Sequence, residues 1–214
     1  LEHHPYYDLA RRSGLDLPEL AGSTDPRVHA EESFQSTYAE KLPHVRLSEQ
    51  AFILGMNTAR VHAFERYARL GEANGYTFES NPKFFTEAAE FVNAATGRGN
   101  MPEAIKRASA LTNTLFYSTR LNISRVQLLN NLLNPVKYRN YDPVFRKAAA
   151  GELIRFAAGM GIIYATAKAL GLDVSADIDD PDFGKVRWGN QHYVITGGEA
   201  ATVRFLLREL RGVY

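Results

Sequence analysis

The sequence predicts a mainly α fold, a multi-helix domain with one C-terminal β-hairpin packed near the last helix. Asp-Pro and Asn-Pro pairs, which are typical of helix starts, recur along the chain. Apolar residues between them repeat at three- and four-residue spacing. Near the C terminus, KVRWGNQHYVIT alternates around Gly189-Asn190, a two-residue hairpin turn. With 214 residues, 45% of them hydrophobic, the chain is long enough to bury a core.

Caps and glycine stops set the predicted helix boundaries. In chain order the helices cover residues 5–12, ended by Gly14; 26–41, opened by Asp25-Pro26; a segment capped by Ser48 and ended by Gly71 and Gly75; one opened by Asn81-Pro82; one from about Pro102; 117–133, ended by Asn134-Pro135; the longest, from Asp142-Pro143 to Gly171; and a last helix with Val203, Leu206, Leu207 and Leu210 on one stripe.

The apolar faces of two neighbouring helices predict where the core lies. The faces are Phe52, Met56, Ala59, Ala63 and Tyr67 on one helix, and Phe84, Phe85, Ala88, Phe91, Val92 and Ala95 on the next. Arg60 lies at the border of the first face, between Met56 and Phe64. We expect it to be buried and paired with a carboxylate of another helix, because a buried cation needs a partner.

The predicted division of the chain is a helical domain over 1–172 and a linker, hairpin and final helix over 173–214, packed on the same core. In the hairpin, Val186 is expected to face Tyr193. Period-two alternation then puts Val186, Trp188, Tyr193 and Ile195 toward the core, with Lys185 and Arg187 facing out.

Charge is distributed unevenly, although the net charge is only +1. Residues 98–155 contain ten Lys/Arg against three Asp/Glu, whereas residues 1–97 contain nine against fourteen. This asymmetry is typical either of an anionic partner or of internal pairing with the acidic first part. The candidate nucleic-acid or anion contacts are Arg98, Lys106, Arg107, Arg120, Arg125, Lys137 and Arg139, with Tyr117, Tyr138 and Tyr141 interleaved.

The stretch ATGRGN, residues 95–100, is the glycine-rich segment that could hold a phosphate. A phosphate-binding loop needs a preceding strand and a Gly-Lys-Ser/Thr ending, but a helix precedes this stretch and Met101-Pro102 follow it. Gly97 is therefore interpreted as a left-handed residue that ends a helix. The alternative is an anion held by amides at the next helix start, with Arg98 and Asn100.

Other chemistry-bearing residues predict no catalytic, cofactor or metal site. DIDDPDFG, residues 177–184, gathers four aspartates, but Pro181 and Trp188 occupy positions where a calcium loop needs ligands. The six histidines include no pair at four-residue spacing with a nearby carboxylate, and Ser118 and Ser124 have no evident base. The chain has no cysteine, which excludes thiolate chemistry.

Residues 156–172 contain a single charge, Lys168. Seventeen residues are marginal for a membrane span, which needs about 20. Gly161, Ala165 and Ala169 form a small-residue row that allows close helix contact. A buried core helix and a transient membrane contact are the two interpretations.

Four segments, in order, resemble a helical region of very large tailed-bacteriophage proteins, the large polyvalent proteins and giant internal virion (ejection) proteins. They are SEQAFILGMNTARVHAFERYA (48–68), FVNAATGRG (91–99), LFYSTRLNISRVQ (115–127) and DFGKVRWGNQHYVITGG (182–198). Asn57, Arg60 and Phe64 match the family's Asn-Arg-Phe series. The family's Phe-Ser-Pro-Arg is Tyr117-Ser118-Thr119-Arg120 here, without the proline, before Ser124-Arg125.

The resemblance implies a non-catalytic structural segment of an internal virion or DNA-ejection protein, located inside the virion and delivered into the host cell. Its expected partners are other virion proteins or copies of itself, then phage DNA, and a membrane through 156–172. One alternative is an accessory domain of a large polyvalent enzyme; another is a sequence-nonspecific nucleic-acid-binding module. No cofactor is expected.

Overall fold

The computed structural model describes residues 1–17, 43–100, 119–175 and 177–195, together with Arg204, Arg208, Arg211 and Gly212. Within these residues the elements are α1 (Tyr7–Arg12), α2 (Pro43–Ala73), α3 (Pro82–Ala95), α4 (Thr119–Leu133), α5 (Pro135–Asn140), α6 (Pro143–Ala169), β1 (Asp173–Val174), β2 (Lys185–Trp188) and β3 (Gln191–Val194). The mainly α fold with a C-terminal hairpin is confirmed. The helices predicted over 26–41 and from Pro102 lie outside the described residues.

A polar residue followed by proline starts three helices. The starts at Asn81-Pro82 and Asp142-Pro143 are as predicted, whereas Asn134-Pro135 is predicted only to end the helix before it. Asn81 precedes Pro82 at the start of α3. The Asn134 side chain accepts hydrogen bonds from the amides of Val136 and Lys137, which opens the short helix α5 directly after α4. The Asp142 carboxylate does the same for α6. The Asn134 and Asp142 side chains satisfy amides that have no partner inside the helix, whereas the Asn81 side chain makes no cap hydrogen bond.

The start and length of α2 differ from the prediction. The helix begins at Pro43, so Ser48 is an interior residue and not its cap. Proline at the first position is compatible with a helix start, because that position needs no amide donor. With 31 residues α2 is longer than α6, which has 27. The prediction that the helix opened by Asp142-Pro143 is the longest is therefore wrong.

Four helices end in the same hydrogen-bonded motif around a glycine of positive φ. At the end of α3, Gly97 has φ +80° and its amide donates to the Ala94 carbonyl, while the Arg98 amide donates to the Asn93 carbonyl. This pair of bonds closes the last turn of a helix. The glycines at these positions are Gly14, Gly75, Gly97 and Gly171.

The buried face of α2 is rotated from the predicted one. Phe52 is 69% exposed and Ala59 is also exposed, so both are wrongly predicted as core residues. The buried face is Asn57, Arg60, Val61, Phe64, Tyr67, Ala68 and Gly71. A count of apolar residues misses this face, because it begins with two polar side chains.

Aromatic rings form the centre of the core. Phe64, Phe84, Phe85 and Phe145 are fully buried, and they come from α2, α3 and the first turn of α6. On α3 the predicted face is confirmed except at its end, where Ala94 is buried and Ala95 is exposed. Edge-to-face contacts such as Phe84 with Phe85, at 5.2 Å between centroids, give the rings a specific arrangement.

Gly71 lies inside α2, not at its end, and it allows close contact with α3. A Cβ atom at Gly71 would be 2.8 Å from the Phe84 ring and 3.1 Å from the Phe85 ring. Gly99 has a comparable role against α4, since a Cβ there would lie 2.8 Å from the Ser124 backbone. Both glycines therefore act through their lack of a side chain.

The chain divides into two compact units, Leu1–Lys147 and Ala148–Tyr214, and the predicted division at residue 172 stays a prediction. In the second unit, β1, β2 and β3 form an antiparallel sheet in that order. Val186 pairs with Tyr193 as predicted, across the Gly189-Asn190 turn. The strand β1 falls in the predicted linker and pairs with β2. Of the predicted last helix, Arg204, Arg208 and Arg211 are helical, and its apolar stripe lies outside the described residues.

The predicted core side of the hairpin is wrong for three of its four residues. Val186 is buried, but Trp188 is 67% exposed, and Tyr193 and Ile195 are exposed as well. Burial does not alternate along β3, where every residue is exposed, and the described chain does not cover this part of the small three-stranded sheet. These exposed side chains therefore form part of an apolar surface of the second unit.

A carboxylate network joins α3 to the start of α6. Glu87 accepts a hydrogen bond from the Asp142 amide at 2.9 Å, and Asn81 donates to the Asp142 carboxylate at 3.5 Å. Burial raises the pKa of Glu87. This effect outweighs the hydrogen bond from Asp142 and the charge of Lys83, which both lower the pKa.

We expect Gly71→Ala and Gly55→Ala, both inside α2, to change stability in opposite directions. The methyl group at residue 71 meets two buried rings, which costs about 1–3 kcal/mol. At residue 55 there is nothing within 4 Å, so alanine stabilises the helix by about 0.5–1 kcal/mol. Urea unfolding followed by circular dichroism measures both. Equal effects of the two changes would contradict the close contact at Gly71.

Glu87→Gln should stabilise the chain increasingly as pH rises. A raised folded pKa means that the stability contributed by Glu87 is complete below its unfolded pKa, about 4.3, and is lost as pH rises through the folded pKa. Glutamine cannot ionise, so the difference in unfolding free energy between variant and wild type should grow from pH 4 toward neutrality. Denaturant curves at several pH values test this, with exposed Glu90→Gln as the control. A difference that shrinks over this range would refute it.

Candidate functional sites

The stretch ATGRGN ends α3 and packs against α4. Thr96 and Gly97 close α3, and Gly99 packs against Ser124 of α4, which is fully buried. The interpretation of Gly97 as a helix-ending residue is confirmed by its φ of +80°. The alternative anion site needs the amides near Pro102, which lie outside the described residues.

Arg60 is buried as predicted, with 4% of its surface exposed. Its Nε donates to the Thr96 hydroxyl at 3.0 Å, and Nη1 donates to the Asn57 side chain at 3.1 Å. Nη2 lies 3.4 Å from the Thr96 carbonyl. These oxygens belong to uncharged groups, so the predicted carboxylate partner stays a prediction. The contacts fasten α2 to the end of α3.

The structure places four of the seven candidate anion contacts in different surroundings. Arg98 is only 14% exposed, and its Nη1 lies 3.7 Å from Asp16. Lys137 donates to Asn131 at 2.6 Å. Arg125 is half-buried, and Arg139 is exposed. Lys106 and Arg107 lie outside the described residues, as does the side chain of Arg120.

The interleaved tyrosines do not form a stacking platform in the described part of the chain. Tyr141 is buried and packs edge-on against Phe145, with 5.1 Å between centroids. Tyr138 packs against Tyr141 and donates its hydroxyl hydrogen to the Arg146 carbonyl at 3.1 Å. Stacking with bases needs exposed ring faces. Both tyrosines instead contribute to the packing around the start of α6.

The aspartate-rich turn holds cations of this chain. Asp182 lies 2.7 Å from Lys185 and 2.8 Å from His192, and its pKa is lowered first of all by the Lys185 hydrogen bond. Asp179 binds Arg211 at 2.9 Å. A hydrogen bond from Ser175 lowers the pKa of Asp180. These contacts agree with the interpretation of the segment as a polar turn.

An apolar surface is exposed on the second unit. On α6 the long side chains Ile154, Phe156, Ile162 and Ile163 are exposed, and Leu170 follows directly after the helix. The small residues Gly161, Ala165 and Ala169 are exposed too. Among the described residues α6 is the one helix long and apolar enough to cross a membrane by length and composition, and only 6% of its most apolar window is buried. The interpretation of 156–172 as a buried core helix is therefore wrong.

The hairpin adds a second group of exposed apolar side chains to this unit. Its members are Trp188, Tyr193, Val194 and Ile195. Burial of a large aromatic or aliphatic side chain contributes about 1.5–3 kcal/mol, so exposing several of them leaves much stabilisation unused. Such exposure is typical of a contact surface.

A cluster of ionisable groups joins the N-terminal segment to α2. Glu65 Oε2 lies 3.2 Å from His62 Nδ1 and 3.5 Å from His4 Nε2. The other carboxylate oxygen, Oε1, accepts from Arg69 Nε at 2.8 Å, and the pKa of Glu65 is lowered chiefly by that bond. Nearby, Tyr6 donates its hydroxyl hydrogen to Glu72 at 2.8 Å, which raises the pKa of Tyr6.

Part of this histidine-glutamate cluster is visible in the sequence. His62 and Glu65 are three residues apart, so they share a face of α2. His4 is far away in the chain, and its position follows only from the docking of the N-terminal segment. That docking includes the bonds between Asn93 and the backbone of Gly14 and Asp16, each 2.9 Å long.

Comparisons with protein-family models, with curated proteins and with solved structures give no match for this chain.

Proposed function

We propose that this chain is a non-catalytic structural segment of a bacteriophage internal virion protein that takes part in DNA ejection. It packs against copies of itself or other virion proteins and contacts phage DNA. The sequence resemblance over four ordered segments supports the phage setting. The observation on which the packing role rests is the exposed apolar surface of the second unit.

The composition of α6 favours a protein as the occupant of this surface. Its uncharged part, residues 156–167, has twelve residues between Arg155 and Lys168. Twelve helical residues are about 18 Å long. The hydrocarbon core of a bilayer is about 30 Å thick, so this uncharged part alone is too short to cross it.

The arrangement of residues on α6 also favours another helix of the same kind. Gly161 and Ala165 are exposed next to Ile162. Small residues at four-residue spacing let two helix backbones approach closely, while neighbouring long side chains fill the groove. A second copy of this chain would offer the same combination.

Mass spectrometry of purified phage particles tests the virion setting directly. We expect peptides of this chain in particles that have been treated with protease to remove external protein. An accessory domain of an enzyme made only after infection would be absent from such particles. Finding the chain solely in infected cells would overturn the proposal.

Ile162→Glu should weaken self-association at least tenfold. The change places a charge in the apolar surface, and an unpaired charge is costly to bury. Sedimentation of the wild-type chain should show an oligomer at micromolar concentration. Thr86→Glu, which adds the same charge at an exposed position of α3 in the first unit, is the control and should leave the association intact. A wild-type chain that remains monomeric at 0.1 mM would refute self-packing.

Binding to DNA should be independent of base sequence and steeply dependent on salt. A cation at a phosphate contributes about 0.9 to the magnitude of the log–log salt slope on duplex DNA. Exposed Arg139→Ala should therefore reduce the slope by about that amount. Arg98→Ala should leave it unchanged, because Arg98 is engaged with Asp16. Titrations of random duplex measure both, and an unchanged slope in Arg139→Ala would exclude this arginine as a phosphate contact.

A further inference from the structure

We propose that His4, His62 and Glu65 bind one divalent transition-metal ion of the zinc class, which ties the N-terminal segment to α2. The proposal concerns a ligand of the first unit and does not rest on the proposed function. The three residues each offer one ligand atom, and these atoms all lie within 4.8 Å of one another.

The two separations between the Glu65 carboxylate and the histidine nitrogens fit a tetrahedral ion, and the two nitrogens lie within 4.8 Å of each other. Four ligands at about 2.0–2.1 Å from zinc are about 3.3–3.4 Å from each other. The Glu65 Oε2 atom lies 3.2 Å from His62 Nδ1 and 3.5 Å from His4 Nε2. A zinc ion can therefore enter with small side-chain movements.

The ligand types select the metal. Two imidazoles and one carboxylate suit zinc and its neighbours, whereas calcium and magnesium prefer oxygen ligands alone. Three protein ligands leave a fourth position for water or for a group from a partner. The His62 side chain is 58% exposed, so the ion has access from solvent.

Surrounding contacts orient the carboxylate. Arg69 holds Oε1 of Glu65 through Nε and Nη2, at 2.8 and 2.7 Å, which directs Oε2 toward the two imidazoles. Outer partners of this kind fix ligand geometry in metal sites. The Arg69 charge opposes the cation, and this repulsion is smaller because the same guanidinium is neutralised by Glu65.

Loading the ion changes one hydrogen bond. The Tyr6 amide donates to His4 Nδ1 at 3.3 Å. Coordination through Nε2 puts the ring proton on Nδ1, so this bond has to be given up. It is long for an N–H donor, and the metal bond replaces it.

Other contacts also dock the segment that contributes His4, one of them on α2 and two on residues outside α2. Tyr6 bonds Glu72 and Arg12 pairs with Glu79, while Asp16 faces Arg98. These contacts reduce the ordering cost of bringing His4 to the site, which favours binding. The ion would in turn stabilise this docking.

Calorimetric titration of the whole chain, freed of metal by chelator and dialysis, tests the site. Zinc chloride should bind with one-to-one stoichiometry and raise the melting temperature, whereas magnesium and calcium chloride should do neither. His4→Ala, His62→Ala and Glu65→Gln should each weaken zinc binding at least tenfold. His3→Ala, which removes an exposed neighbouring histidine, should leave the affinity unchanged. Circular dichroism establishes that each variant is folded.

The visible absorption of bound cobalt(II) provides a second measurement, which distinguishes the proposed site from binding to isolated surface histidines. In the proposed site cobalt(II) should give the intense visible absorption of a four-coordinate ion, and His62→Ala should abolish it. The proposal is overturned if zinc does not bind at millimolar concentration, if His4→Ala and His62→Ala keep wild-type affinity, or if cobalt shows only the weak spectrum of a six-coordinate ion.

Discussion

The burial of Phe145 is the constraint on which the first unit depends. Its ring lies within 6.3 Å of the ring centroids of Tyr67, Phe84, Phe91 and Tyr141, and it has no exposed surface. The Phe145 amide also donates to the Asp142 cap at 3.2 Å. Phe145 therefore takes part in the N-terminal cap of α6 through its amide and in the core through its ring. The cap bond is local, whereas the ring contacts with Tyr67, Phe84 and Phe91 require α2 and α3 to be in place.

Signals within a few neighbouring residues predict helix starts and the hairpin turn. Asn81-Pro82 and Asp142-Pro143 mark predicted helix starts, because the fixed proline φ, joined at Asp142 by a cap, acts within one turn. The pairing of Val186 with Tyr193 follows from a two-residue turn. The buried face of α2 could not be predicted in this way. It includes Arg60, whose burial depends on oxygens of Asn57 and Thr96 that only the tertiary structure brings together.

The candidate sites also differ in how far they follow from local sequence and how far from tertiary structure. Positive charge counted along residues 98–155 indicates an anion surface, yet Arg98 is engaged with Asp16 and Lys137 with Asn131. A sequence shows how many cations are present but not which of them are already satisfied. The histidine-glutamate cluster is hidden for the opposite reason. His62 and Glu65 look unremarkable until a segment about sixty residues earlier brings His4 beside them.

The exposure of Trp188 determines what fluorescence can report. It is the only tryptophan of the chain, so emission excited at the red edge of the absorption band comes from one side chain of the hairpin. An indole in contact with water emits at long wavelength, both before and after unfolding. Loss of the aromatic core around Phe145 would therefore leave this signal almost unchanged. A shift to shorter wavelength would instead report that another molecule has covered the hairpin.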